Sequence, residues 1–415
     1  MTIKRHFLVS AACLMTGLAA CSPESGTPGG GATALHESGA DTAVAIPASL
    51  ETAPSMSDSA AAALIWPGHD GAPSYIVGAV EEGTEIYDMK GTLLSSTEGR
   101  KVESLDRLTG FGGKKSALLL TLGTSDSSVS AFTVAEGKLA PVQSAVIKTP
   151  ALLEGMCAYT SPLDGQAYVF LLAGSGHVEQ WHLYEDAKGA IKSTLARTLQ
   201  LGTEPKFCVA DTISNSLYVT EEAVGVWRFD ADVEAETIPE LIDVKKFGHF
   251  NGEVGGLALY HTPQGQSVLF ASDVETSRIN LYDTLDSHRY IGSAAFTGTA
   301  EIDGVDNAGS LSVGGGYLVM ADDDNSDDSG EDATNFKLAK VDDIAQKFNF
   351  ATLKKQKTSS AKSTLALVTP SVETTPVANG GDAADDPAIW VHPTDPAKSL
   401  IIGTDKRAGL YVYGL

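Results

Sequence analysis

Six pairs of short apolar strands recur along this chain at a nearly constant interval. Each pair consists of an apolar run, a turn and a second short strand. The first strands begin at Tyr75, Leu118, Tyr168, Leu217, Val268 and Leu318, so the first interval is 43 residues and the later ones are about 50. Helical periodicity is nearly absent, and a period of this length in an all-β chain is typical of propeller blades, whereas a sandwich has fewer strands and no fixed period. We therefore predict an all-β fold with a six-bladed β-propeller over residues 47–345.

A second repeat relates the end of the chain to its beginning. Residues 372–413 repeat residues 50–87, and apolar landmarks survive in both copies. The later copy alone carries an aspartate pair, Asp385-Asp386, and a basic pair, Lys406-Arg407; Ala61-Ala62 and Val80-Glu81 stand in the earlier one.

The domain boundaries follow from this repeat. We predict a linker over residues 346–364 and the start of a second, incomplete propeller over residues 365–415. Its strands, Ser399 to Gly403 and Leu410 to Tyr413, form one hairpin. Because a single hairpin cannot bury its apolar face, we expect that the chain is truncated early in this domain.

The N-terminus has the pattern of an export signal. Lys4-Arg5 precedes an apolar run from Phe7 to Ala20 that is too short to span a membrane, and Leu18-Ala19-Ala20-Cys21 matches a bacterial lipobox. We predict a signal peptide over residues 1–20, lipidation of Cys21 and a flexible linker over residues 21–46. The expected protein crosses the inner membrane and is an outer-membrane lipoprotein or periplasmic, with the lipid anchor as its only membrane contact. The alternative is an ordinary cleaved signal peptide that contains a cysteine.

Composition limits the possible partners. The formal net charge is −24, which argues against nucleic acid and anionic lipid surfaces and suits cation binding. Charged residues make up 20% of the chain and hydrophobic residues 43%, enough to bury a core. Two cysteines outside the signal region, Cys157 and Cys208, either pair in an oxidising compartment or are separate buried thiols.

Two segments of the second copy carry a resemblance to a known family. They are Gly381-Asp382-Ala383-Ala384-Asp385-Asp386-Pro387-Ala388-Ile389-Trp390-Val391-His392-Pro393 and Gly403-Thr404-Asp405-Lys406-Arg407-Ala408-Gly409-Leu410. Together they resemble the start of a β-propeller phytase domain, and residues 47–345 resemble the same family more weakly. The whole looks like a dual-domain phytase: a degenerate first propeller followed by a catalytic one.

The resemblance implies calcium-dependent hydrolysis of phosphate from myo-inositol hexakisphosphate, with phytate or other inositol polyphosphates as partners. In that mechanism clustered carboxylates hold several Ca²⁺ ions, which bind substrate phosphates and activate a water. By position, Glu373, Asp385 and Asp386 match calcium ligands, and Lys406 and Arg407 match phosphate-binding residues. From the residues alone, Asp385-Asp386 is a turn pair before Pro387, and His392 is structural.

The first domain departs from the family pattern. Ala61-Ala62 replace the aspartate pair, and Lys206 stands where a carboxylate is expected. Glu51, Glu222 and Glu253 remain possible metal ligands, but three scattered carboxylates do not make a multi-ion site. We therefore expect that this domain does not hydrolyse phytate by itself.

Two other function classes compete with the phytase. A non-catalytic propeller lipoprotein would act as a substrate-binding or protein-interaction module. A lactonase, or another calcium hydrolase, would use a central ion of the propeller, and the segment from Asp385 to Arg407 counts against it.

Overall fold

The computed structural model describes residues 42–57, 59–68, 71–114, 117–299, 302, 304–305, 308–326, 332–356, 371–380 and 382–414. The predicted signal peptide, the lipidation site at Cys21 and much of both predicted linkers lie outside these residues.

The described chain is built from four-stranded antiparallel sheets. Two short strands precede them, β1 (Val44–Pro47) and β2 (Leu50–Glu51). The first three sheets are here called blades 1 to 3. Blade 1 is β3 (Ala60–Trp66), β4 (Tyr75–Val80), β5 (Gly83–Asp88) and β6 (Leu93–Glu98); blade 2 is β7 (Ser104–Leu108), β8 (Leu118–Gly123), β9 (Ser128–Ala135) and β10 (Lys138–Lys148); blade 3 is β11 (Leu153–Thr160), β12 (Ala167–Ala173), β13 (His177–Glu185) and β14 (Ile191–Gln200).

Three further blades follow in the chain. Blade 4 is β15 (Pro205–Asp211), β16 (Ser216–Glu221), β17 (Gly225–Asp230) and β18 (Glu240–Val244); blade 5 is β19 (Val254–His261), β20 (Ser267–Asp273), β21 (Arg278–Asp283) and β22 (Arg289–Thr297); blade 6 contains β23 (Ala308–Gly314), β24 (Tyr317–Ser326) and β25 (Asp332–Lys340). All six strand pairs predicted from the sequence are the second and third strands of these blades.

The first strands of the blades form a closed ring. These inner strands, β3, β7, β11, β15, β19 and β23, each lie beside the inner strand of the next blade, and β23 lies beside β3. Side chains bridge neighbouring blades: Ser104 Oγ donates to Met156 O at 3.2 Å, and Ser312 Oγ donates to Ala63 O at 2.7 Å. Six blades closed in this way make a β-propeller, as the strand period predicts.

The N-terminal strands complete the last two blades. β2 pairs antiparallel with β25, so it supplies the fourth strand of blade 6, and β1 adds to the outer edge of blade 5 by parallel pairing with β22. Because residues near both ends of the propeller share one sheet, the ring is closed by hydrogen bonds between distant parts of the chain.

Hydrophobic clusters between successive blades form the core. Leu120 and Leu122 of blade 2 pack with Val169 and Leu171 of blade 3, and all four are fully buried. A second strand with another blade on each side is apolar on both faces, which is why these strands appear as continuous apolar runs in the sequence.

One short helix follows the propeller. α1 (Val341–Lys347) was not predicted, because its seven residues are too few to show a helical period. Val341 and Ile344 bury into the core between blades 5 and 6. Among the described residues, no helix has the length and apolar character needed to cross a membrane.

The last part of the chain is a three-stranded sheet: β26 (Ala384–Trp390), β27 (Leu400–Asp405) and β28 (Gly409–Gly414). β27 and β28 form the predicted hairpin; β26 is an addition, and it places Asp385 and Asp386 in a strand instead of a turn. Ile389, Leu410 and Val412 are 60–70% exposed. This sheet does not bury its apolar face among the described residues, as expected for a single blade unit.

Candidate functional site

A channel runs along the axis of the propeller. Its cavity of about 220 Å³ is lined by residues of all six inner strands. In blades 1 and 6 the residues that line the cavity include several with small side chains: Ala61, Ala62, Ser310 and Ser312. We call the end at which the inner strands begin the upper mouth.

Charged side chains surround the upper mouth on blades 2, 3 and 4. Glu103, Glu154 and Lys206 line the channel at the start of β7, β11 and β15. Glu222 directly follows β16, and it lies near Lys206 because β15 and β16 are antiparallel and Pro205 pairs with Glu221. Lys206 Nζ lies 3.2 Å from Glu222 Oε1. The Lys206 amino group therefore stands at the place where one of the predicted metal ligands would act.

The other candidate ligands of the first domain are not near one another in sequence or in the blades. Glu51 Oε2 accepts a hydrogen bond from Asn335 Nδ2 at 3.4 Å in blade 6. Glu253 is exposed before β19, and its backbone oxygen accepts from Val274 N at 3.0 Å. Over the described ranges, no three His, Cys, Asp or Glu side chains are grouped closely enough to hold a metal ion.

Three buried glutamates near the turns between second and third strands have structural roles that the sequence reasoning missed. Glu179 accepts from Trp181 Nε1 at 2.8 Å, and Glu221 accepts from Trp227 Nε1 at 2.7 Å. Glu85 accepts from Met56 N at 2.9 Å and so holds the segment that enters blade 1. The Glu-x-Trp spacing of Glu179 and Trp181 was the available signal for the first of these contacts, because residues two apart in a strand lie on one face. Glu221 and Trp227 are six residues apart, and their contact depends on the pairing of β16 with β17.

The cluster predicted near the end of the chain is partly assembled. Lys406 Nζ lies 2.8 and 2.9 Å from the two carboxylate oxygens of Asp382 and 3.9 Å from Asp385 Oδ1. The hydrogen bond to Asp382 raises the pKa of Lys406, and the charges of Asp385 and Asp386 act in the same direction. Asp382 is a member of this cluster that was not among the predicted ligands.

The remaining predicted residues are less closely joined to it. Arg407 is exposed in the β27–β28 turn, where its backbone N donates to Asp405 Oδ1 at 2.8 Å. Glu373 is exposed in the segment before the sheet. His392 Nδ1 accepts from Asp395 N at 3.1 Å, which agrees with the structural role predicted for it.

Asp405 holds the turn that carries the basic pair. It is 2% exposed, and Asn379 Nδ2 donates to its Oδ2 at 3.0 Å. This hydrogen bond, together with donation from the backbone N of Arg407 and Ala408, lowers the pKa of Asp405. A carboxylate that accepts these hydrogen bonds fixes the geometry of the turn that carries Lys406 and Arg407.

The segment that precedes the sheet meets the first propeller at Gly380. A Cβ on Gly380 would lie 2.7 Å from Ala196 O of β14, so only glycine permits this approach. Burial raises the pKa of Glu234, in the loop between β17 and β18, and the nearby charge of Asp382 raises it further, while Arg197 and Lys406 oppose both. The charges of Asp382 and Lys406 therefore act on a carboxyl group of the first propeller.

A disulfide links the channel-lining strands of blades 3 and 4. Cys157 of β11 and Cys208 of β15 are bonded, with their Cα atoms 5.7 Å apart. Of the two possibilities that the sequence left open, the structure has the pair. The bond lies close in sequence to Glu154 and Lys206, so it joins the two strands that carry these charges.

The residues present do not fit a complete calcium site. Carboxylates are the right donors for Ca²⁺, which takes six to eight oxygen ligands. Asp382, Asp385 and Asp386 supply such oxygens, but Asp382 already binds the Lys406 ammonium, and the described residues contain no metal-sized group of three. We therefore derive no step through a calcium ion from this geometry.

These features define a class: a six-bladed propeller with a charged upper mouth, followed by a sheet that carries an acidic and basic cluster. The chain belongs to the Phytase family, whose model matches residues 10–359 and again residues 349–415. The 3-phytase of Bacillus subtilis (strain 168) is 25% identical over 284 residues, which cover 64% of this chain and 74% of that protein.

Two solved structures show distant similarity to this chain. A nidogen/laminin complex has a TM-score of 0.42 at 13% identity and covers 60% of this chain and 85% of that one. The Kuenenia stuttgartiensis hydrazine synthase has a TM-score of 0.41 at 10% identity, covering 69% of this chain and 97% of that one. Neither value is high enough to support an inference about this protein.

Proposed function

We propose that this protein is a calcium-dependent phytase that removes phosphate from myo-inositol hexakisphosphate. In this proposal residues 47–345 form an accessory propeller and residues 365–415 begin the catalytic domain. The single observation that carries it is the double family match, in which residues 349–415 match the family a second time. The named relative is a 3-phytase, and which phosphate is removed first is left to product analysis.

Lys406 is suited to bind a substrate phosphate. Its pair with Asp382 is exposed, with 43% and 57% of the two side chains accessible. Exposed ion pairs contribute little to stability, so the lysine can exchange Asp382 for a phosphate at small cost. Arg407, next to it in the same turn, offers a planar guanidinium that binds phosphate oxygens in pairs.

Calcium dependence rests on the donor chemistry and on the family. Asp385 and Asp386 present hard oxygen atoms beside the proposed phosphate site, and Ca²⁺ prefers such ligands. A complete ion site needs further oxygens from outside the described residues. When bound, the metal would supply charge neutralisation and an activated water for attack on phosphorus.

The test is phosphate release from phytate, with Ca²⁺ and then with an excess of chelator. It is run on this chain and on the product of the whole reading frame. We expect chelator-sensitive release, lowered about 10²-fold in kcat/KM by Asp385→Ala or Lys406→Gln. The matched control is Lys398→Gln, which removes an exposed lysine that pairs with Asp395 at 3.1 Å in the connection between β26 and β27. Chelator-insensitive release contradicts the calcium proposal, and a fully active Asp385→Ala variant removes that residue from the site.

A binding or interaction module without catalysis is the second candidate. The observation that favours it is the upper mouth of the first propeller, where no metal-sized group of carboxylates is found among the described residues. Absence of phosphate release from both proteins, with Ca²⁺ present, would favour it over the phytase. The lipid anchor at Cys21 and export across the inner membrane remain proposals; metabolic labelling with a fatty acid, lost in Cys21→Ser, tests both.

A further inference from the structure

A short segment before the terminal sheet (β26 to β28) contacts both the first propeller and the sheet. We call it the docking segment; its described residues in these contacts are Asn379, Gly380, Asp382 and Ala383. On the propeller side, a Cβ on Gly380 would lie 2.7 Å from Ala196 O and 3.1 Å from Ala196 Cα. Both are backbone atoms of β14, so a larger side chain at this position would have to move the segment away from the propeller.

A β-bulge in β14 forms the surface that the docking segment meets. Gln180 pairs with Arg197, but the next residue of β13 pairs with Leu195, so Ala196 is the extra residue of the bulge. The Arg197 side chain, which is 5% exposed, fixes this bulge: its Nε donates to Gln180 Oε1 at 2.7 Å and its Nη1 donates to Ala235 O at 2.9 Å. Gly380 therefore lies against a strand that is tied to both blade 3 and blade 4.

On its other side the docking segment holds the turn between β27 and β28. We call this turn the basic turn; it contains Asp405, Lys406 and Arg407. Asn379 Nδ2 donates to Asp405 Oδ2 at 3.0 Å, and the backbone N of Lys406 donates to Ala383 O at 2.8 Å. Ala383 is fully buried and Asp405 is 2% exposed, so both contacts are shielded from water. The same few residues thus join the bulge of β14 to the basic turn.

We propose that the first propeller positions the basic turn for phosphate binding, through the contact of Gly380 with Ala196 and the hydrogen bond from Asn379. This inference rests on the proposed function, in which Lys406 and Arg407 bind a substrate phosphate. Groups that bind a reacting phosphate must be held closely in place, and a rigid neighbouring domain supplies that support. Gly380 and Asn379 are positioning residues, because they act through the turn.

Hydrogen–deuterium exchange, followed by mass spectrometry, tests the contact on this chain without any substrate. The variants are Gly380→Val, which pushes the docking segment away from β14, and Asn379→Ala, which removes the donor to Asp405. In both, we expect the backbone amides of Lys406 to Ala408 to exchange about tenfold faster. This is the size of effect expected for the loss of one hydrogen bond to a charged group.

The matched control is Gly414→Val in β28 of the same sheet. No atom outside its chain neighbours lies within 4 Å of the position of its Cβ, so this variant should leave the exchange of the basic turn unchanged. Exchange in β8 and β16, inside the first propeller, should be unchanged in all three variants. This second comparison separates the loss of one contact from general unfolding.

Kinetics on the product of the whole reading frame provide a readout that a purely structural role would not change. Gly380→Val and Asn379→Ala should each raise the KM for phytate about fivefold and leave kcat within about a factor of two, because the phosphate-binding turn is loosened while the reacting groups remain. Gly414→Val should leave both constants as they are in the unaltered protein.

The proposal is overturned if the basic turn exchanges at an unchanged rate in Gly380→Val or Asn379→Ala. An equal rise in Gly414→Val, faster exchange throughout the first propeller, or an unchanged KM in the active variants would also overturn it. If the unaltered protein of the whole reading frame releases no phosphate from phytate, the proposed function fails. The exchange measurement would still decide whether the first propeller holds the basic turn, so the two failures are distinguishable.

Discussion

Reduction of the Cys157–Cys208 disulfide should destabilise the first propeller by a calculable amount. The bond closes a loop with a sequence separation of 51 residues. The chain-entropy relation for such a loop gives about 4 kcal/mol at 25 °C, because the reduced unfolded chain regains the freedom that the bond removes. With an unfolding entropy of about 2.1 cal/mol/K per residue over about 300 residues, this corresponds to a fall in Tm of about 6 °C.

The assay is thermal unfolding of the same protein with and without dithiothreitol, followed by circular dichroism. Free-thiol titration confirms that the bond is closed before reduction and open after it. The matched control is the double variant Cys157→Ala/Cys208→Ala, whose Tm should not respond to the reductant. The reasoning is refuted if the reduced protein melts within about 1 °C of the oxidised one, since the loop would then contribute almost no entropy.

Three further measurements address stability and its pH dependence. Lys337→Met should lower the free energy of unfolding, measured by urea titration, by about 3–5 kcal/mol, because Lys337 and Asp322 are both fully buried and 2.8 Å apart. The double variant Lys337→Met/Asp322→Leu should recover most of this loss. No recovery in the double variant would contradict the explanation by a buried ion pair. Burial acts to raise the pKa of Asp211, but the hydrogen bond and charge of His261, with donation from Ser214 and the backbone N of Ile213, lower it overall. The stabilisation by Asp211 is therefore present above its unfolded pKa and lost as pH falls through its folded pKa, so Asp211→Asn should destabilise the protein at pH 7 and have the same stability as the unaltered protein in acid. A difference in stability that does not depend on pH would show another cause. Gly256→Val should lower the Tm, because its Cβ would lie 2.5 Å from Leu311 N between blades 5 and 6. Gly309→Val, with open space at its Cβ, should lower the Tm less. Equal changes in Tm would contradict the argument from close approach.

The second and third strands of every blade were predictable because their pattern is local. Each is a short run whose apolar residues need burial against neighbouring sheets, and a turn of a few residues sets the distance between the two. The inner strands were harder to predict. Residues such as Ala61 to Ala63 and Ser310 to Ser312 face a narrow channel, so their small side chains carry little hydrophobic pattern.

The charged cluster near the end of the chain also combines residues that the sequence predicted with one that it did not. Asp385 and Lys406 were each singled out because the second copy of the repeat carries them and the first does not, and they lie 3.9 Å apart. The closer partner, Asp382, was not chosen, because its contact depends on β26 pairing with β27, a strand that the hairpin prediction lacked.

The amino-acid pattern alone was sufficient for the fold class and the number of blades, since these depend on short-range periodicity, and the repeat within the chain was sufficient to single out the basic pair Lys406-Arg407. The pairing of Cys157 with Cys208, the closure of blade 6 by β2 and the contact of Lys206 with Glu222 became visible only in three dimensions. All three join blades or strands through backbone geometry that closes the ring. A one-dimensional pattern carries no distance between such residues, because the approach is set by how six twisted sheets pack around an axis.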